Sequence, residues 1–76
     1  MSIIPIVSAR EMVIVLLKAG LKIIRQKGSH IRLHHPLTNK STTVAMHAGD
    51  LTRKVIKHIL SQSGISNRGF VELIKK

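Results

Sequence analysis

The stretch RQKGSHIRLHH, residues 25–35, decides the fold. Gly28-Ser29 makes a two-residue hairpin loop with glycine first, a turn whose backbone twist matches two antiparallel strands. The residues after it, His30 to His35, alternate along a strand, so Ile31 and Leu33 turn to one side while His30, Arg32 and His34 turn to the other. One side of this strand is apolar and the other is all imidazole and cation. Before the turn, Leu21 to Lys27 reads as the partner strand, with Leu21 and Ile23 on the buried face and Lys27 sharing the side of Arg32; Ile24 interrupts the pattern.

Working outward, Pro36 to Lys40 is a loop by composition, and Ser41 to His47 reads as a third strand with Val44 and Met46 on its buried side. Upstream, Ser8-Ala9-Arg10-Glu11 has the form of a capping box, and Val7 with Met12 has the form of a hydrophobic staple. A first helix is therefore expected over Ala9–Ala19, burying Ala9, Val13, Leu16 and Leu17, with Gly20 supplying the left-handed residue that ends it. Downstream, Gly49-Asp50 offers a cap for a second helix with an apolar stripe of Leu51, Val55, Ile56, Ile59 and Leu60, closed by Gly64. Ser66 or Asn67 caps a short third helix that docks through Phe70, Leu73 and Ile74. The order predicts one α+β domain over residues 1–76, helices covering one face of a three-stranded antiparallel meander.

Charge narrows the function. Thirteen Lys and Arg against three acids give a formal charge of +10, a field that gathers polyanions. A single Phe, with no Trp or Tyr, leaves no stacking platform for splayed bases, so recognition of a nucleic-acid backbone or shape is what remains. The absence of cysteine excludes disulfides and thiolate metal sites. The longest apolar run, Met12–Leu17, is far short of the ~20 residues that span a bilayer, and MSIIPIV lacks the features of a signal peptide, so a cytoplasmic location is expected. Attachment to a membrane surface is disfavoured because both main helices need their apolar faces for the core.

The pieces KGSHIRLHHP, TTVAMHAGDL and KHILSQSGIS carry a resemblance. Together they make the chain, from Ser8 to Ser66, similar to the HicA toxins of toxin-antitoxin pairs, small mRNA interferases with a double-stranded-RNA-binding-domain-like fold. Two positions depart from the family pattern: Val44-Ala45-Met46-His47 stands where many members have Val-Pro before the second histidine, and Lys54-Val55 where Gly-Thr is common. The resemblance implies that His30 is the catalytic residue, supported by Gly28 and Ser29 in the turn. It also implies an mRNA substrate and a HicB-type antitoxin as protein partner.

Metal-free RNA cleavage needs a base for the ribose 2′-hydroxyl, cations at the non-bridging oxygens and a proton source for the leaving oxygen. His30 suits the first role, since imidazole both takes and gives a proton near neutral pH. Lys27 and Arg32 suit the second, and Arg53, Lys54 and Lys57 form a further basic stripe on the second helix with no acid after Asp50 to balance it. His34, His47 or a water could be the proton source, and the sequence does not choose among them. A metal site is not expected: His30 and His34 lie about 13 Å apart along the strand, and Glu11, Asp50 and Glu72 are the only carboxylates. No small-molecule cofactor is implied. The rival from another class is a non-catalytic double-stranded-RNA-binding or ribosome-associated module, which the same charge would serve.

Overall fold

A computed structural model describes residues 4–47 and 49–76; the reading of the first residues as lacking a leader falls partly outside them. The elements are α1 (Ala9–Lys18), β1 (Lys22–Lys27), β2 (His30–His34), β3 (Ser41–Ala45), α2 (Arg53–Ser63) and α3 (Asn67–Lys75). The strands form one antiparallel sheet in the order β1-β2-β3. This is the expected α+β arrangement.

The capping box of α1 forms in full: Ser8 Oγ accepts from the Glu11 amide at 3.1 Å and Glu11 Oε1 accepts from the Ser8 amide at 2.9 Å. Val7 and Met12, the staple pair, are both buried. Ala19 is the C-cap, and Gly20 follows it at φ 102, ending the helix one residue earlier than expected. Leu17 was expected inside and is instead 45% exposed, while Val15 is buried. The third helix, α3, packs against α1, and its Ile74 lines a cleft together with Val15.

The hairpin is as expected, with Gly28 at φ 58 and Lys27 paired with His30 across the turn. Leu21 is buried, but Ile23 is 46% exposed. Its strand is the edge of the sheet, and the register shifts between Ile23 and Arg25, which leaves Ile24 as the unpaired residue of a β-bulge. On the helix side of the other strands, Ile31, Leu33 and Val44 are buried, and the buried Thr42 hydroxyl donates to Gln62 Oε1 at 2.9 Å.

Gly49-Asp50 does not cap α2. There Gly49 lies in a bend at φ 92, Asp50 is in an isolated bridge to Ser8, and the Leu51 amide donates to Val7 O at 2.9 Å. Thr52 is the cap, its Oγ1 accepting from the Val55 amide at 3.2 Å. The later start leaves Leu51 half-buried ahead of the helix and turns Val55 outward, so the buried stripe is Ile56, Ile59, Leu60 and Ser63. Gly64 closes α2 at φ 73 as expected. For α3, Ser66 is the cap, accepting from the Gly69 amide at 3.0 Å, and Phe70 is fully buried. Leu73 packs on the core's edge, while Ile74 at the outer rim of the α1–α3 contact is 37% exposed.

All three helices lie on one side of the sheet. Their side chains and those of Ile31, Leu33 and Val44 make a single core with Phe70, Met12 and Leu16 at its centre. Among the described residues no helix covers the other face of the sheet.

Candidate nucleic-acid interface

Register assigns every strand residue to a face, because directly paired residues of antiparallel strands share one. Ile31 and Leu33 are buried beneath the helices, so their partners Gln26, Ile23, Val44 and Thr42 are on the helix side. The open face then carries three rows: Lys22, Arg25 and Lys27 on β1; His34, Arg32 and His30 on β2; Ser41, Thr43 and Ala45 on β3. It is cationic along β1 and β2 and small and hydroxylic along β3. None of the three acids of the chain lies on a strand, so nothing in the sheet neutralises these cations.

The hydroxyls order the long side chains beside them. Arg32 Nη1 donates to Thr43 Oγ1 at 3.2 Å, and His34 Nδ1 sits 2.7 Å from Ser41 Oγ. His30 faces Ala45, whose methyl group leaves the space over the strand open. A further bond, Met46 N to Ser29 O at 2.6 Å, extends the β2–β3 pairing past the last strand residue and holds the next segment against the turn. That segment delivers His47, whose ring meets the His30 ring edge-on, with centroids 6.3 Å apart and planes at 85°. Both histidines are exposed.

Of the residues singled out from the sequence, Lys27, Gly28, Ser29, His30, Arg32 and His47 are therefore together at the hairpin end of the open face. His34 is on the same face but at its other end, engaged with Ser41. Arg53, Lys54 and Lys57 are exposed on α2, in the helix layer. Because α2 runs antiparallel to β3, with Gln62 at Thr42 and Gly64 beside Lys40, its first turn with Arg53 and Lys54 comes to the hairpin end of the domain. A Cβ on Gly28 would meet nothing within 4 Å, so glycine is required there for its positive φ alone. Lys22 and Arg25 were not singled out in the sequence; the signal for them was Ile24, the residue whose bulge reverses the alternation. No group of three or more metal-ligating side chains occurs among the described residues. Among the same residues no helix is long and apolar enough to cross a membrane.

The arrangement defines a small basic α+β domain that offers a sheet face of cations and paired histidines, with the α-β-β-β-α order of double-stranded-RNA-binding domains. The family model for the HicA toxin of bacterial toxin-antitoxin systems matches residues 9–65, most of the chain, and the protein belongs to that family. The match runs from the start of α1 to the end of α2 and leaves α3 outside it. Comparison with curated proteins gives no match.

Proposed function

We propose that this toxin is a metal-independent endoribonuclease that cleaves mRNA and so arrests translation and growth. His30 acts as the general base that takes the proton of a ribose 2′-hydroxyl, and the freed oxygen attacks the adjacent phosphorus to leave a 2′,3′-cyclic phosphate. Lys27 and Arg32 hold the non-bridging oxygens, while Gly28 and Ser29 fix the turn from which His30 projects. Arg53, Lys54 and Lys57 extend the basic surface for RNA around the hairpin end. A HicB-type antitoxin is the protein partner, covering this basic face with acidic groups. The working unit is the whole chain as one domain, acting in the cytoplasm without a cofactor.

The observation that carries the reading is the placement of His30: exposed at the hairpin exit, paired with Lys27 and on one face with Arg32. An exposed imidazole that stands between cations is suited to meet a phosphodiester. The test is incubation of end-labelled RNA with the protein in EDTA, wild type beside His30→Ala, together with growth after induction of each. New RNA ends and growth arrest that both disappear in a folded His30→Ala protein support the reading. Cleavage that survives the substitution refutes the role of His30, and RNA binding without new ends favours the non-catalytic module. Co-purification with the product of an adjacent gene tests the antitoxin separately.

A further inference from the structure

We infer that His47 is the general acid of the proposed cleavage, protonating the leaving 5′-oxygen while His30 deprotonates the 2′-hydroxyl. The inference rests on the ribonuclease reading above and adds the second proton-transfer group that reading needs. Attack and departure take place on opposite sides of phosphorus, so base and acid have to be two groups separated by roughly the width of a phosphate. The His30 and His47 rings, with centroids 6.3 Å apart, have that separation.

The backbone fixes this pairing. His30 opens β2 opposite Ala45, and the Met46 amide donates to Ser29 O at 2.6 Å, tying the residue before His47 to the turn before His30. His47 N donates to Ala45 O at 3.0 Å, which curls the chain as it leaves β3. The cross-strand partner of His30 is Ala45, a single methyl, so a phosphate can rest over that position of the strand without displacing a large side chain.

Other donors on the face fit less well. His34 has Nδ1 engaged by Ser41 and lies about 13 Å along β2 from His30. Arg32 does not give up its proton in proteins, and Lys27 is a point cation suited to the non-bridging oxygens. In the balanced step, the O2′–H bond gives its proton to His30, the O2′–P bond forms, the P–O5′ bond breaks, and O5′ takes a proton from His47. The products are a cyclic phosphate and a free 5′-hydroxyl. Proton exchange with water then resets both rings.

The experiment compares two substrates on the full chain. One is an RNA oligonucleotide, whose alkoxide leaving group needs a proton; the other is a nucleoside 3′-(p-nitrophenyl phosphate), whose phenolate leaves without one. His47→Ala should slow RNA cleavage about 10²- to 10⁴-fold while changing aryl-ester cleavage by no more than a fewfold. His30→Ala should slow both. If His47→Ala slows the two substrates equally, the residue merely supports the site and the assignment is overturned; if it slows neither, His47 has no part in the step. Failure of the ribonuclease reading itself would appear elsewhere, as RNA binding by the wild type without cleavage of either substrate. Circular dichroism of each variant shows that it is folded, and equal RNA affinity of wild type and His47→Ala separates loss of the acid from loss of binding.

Discussion

His34 and Ser41 are joined across the β2–β3 pair, Nδ1 to Oγ at 2.7 Å, at the end of the sheet away from the hairpin. The contact is half-buried and makes His34 a member of the sheet's packing. Removing it should cost about 1 kcal/mol of stability, the usual net worth of such a bond. His34→Ala is accordingly expected to lower the urea midpoint and to leave the turnover of RNA within about twofold, well below the 10²-fold that loss of a proton-transfer group brings. A loss of turnover as large as that of His30→Ala would make His34 catalytic.

Phe70 is the only aromatic residue and is fully buried, yet it sits on α3, beyond the family match. Its ring fills the centre of a core built by 76 residues, which leaves little stability in reserve. Phe70→Ala should cost about 3 to 5 kcal/mol. Thermal unfolding followed by circular dichroism should then shift down by tens of degrees or lose its cooperativity, at about 4–8 °C per kcal/mol. A shift of only a few degrees would mean that α3 is an appendage and that α1, α2 and the sheet fold without it.

The sequence made the hairpin, the capping box and the order of elements legible because each is a local signal: a Gly-first turn, an S-x-x-E spacing, a period of two or of 3.6. What it concealed was tertiary. Ile24 disturbed the alternation of β1, and only the register identifies it as a bulge that reverses the parity of the strand, so that Ile23 and Gln26 share one face while Lys22, Arg25 and Lys27 share the other. Leu17 fits the period of a buried helix face, yet it is exposed while Val15, on the side where Ile74 of α3 sits, is buried. Asp50 has the chemistry of a cap, yet it is held in the bridge to Ser8, and the cap passes to Thr52. At the site, the turn made legible only that His30 stands at the hairpin exit, its role coming from the family resemblance, whereas the nearness of His47 depends on the β2–β3 register and on a bond from Met46 to Ser29 that no spacing announces.

Two glycines with positive φ should respond differently to the same substitution. A Cβ on Gly64, at φ 73, would meet the flexible stem of Lys40, which can swing aside, so Gly64→Ala should cost about 1 kcal/mol, chiefly the left-handed backbone. A Cβ on Gly20, at φ 102, would stand 2.8 Å from His35 Nε2, and that ring is held by Leu37 and Thr38 amides donating to its Nδ1 at 3.1 and 3.3 Å. Gly20→Ala should therefore be the more damaging by roughly 1–3 kcal/mol, because it adds overpacking against a fixed group. Urea midpoints of the two variants provide the comparison, and equal losses would show that the ring yields.

The capping box gives stability a dependence on pH. Bonding to the Ser8 backbone amide, and then to its side chain, lowers the pKa of Glu11 below its ordinary value of 4.5. The folded value is thus the lower one, so the unfolded chain takes up the proton first as acid is added. The contribution of Glu11 is present in full above the unfolded value and is lost as pH falls below 4.5 through the folded value. Glu11→Gln keeps a group that can bond to Ser8 but removes the titration. Its melting temperature should fall less steeply than that of wild type below pH 4.5, and parallel curves would show that the cap does not sense pH.

Binding of RNA through phosphates also predicts how salt acts. Each contact adds a slope of about −0.7 to log K against log salt on a single strand, so six to ten contacts would cost roughly 3 × 10²- to 2 × 10⁴-fold in affinity between about 50 and 200 mM salt. Arg32 is held in place by Thr43, so under the proposed function it would meet a phosphate already ordered. Arg32→Ala should therefore weaken binding and reduce the slope by about 0.7, whereas Thr43→Val should weaken binding without changing the slope, since the charge remains. Lys54→Ala examines the first turn of α2 in the same way. A slope reduced by about 0.7 would place α2 on the RNA path, and an unchanged slope would confine the RNA to the open face of the sheet.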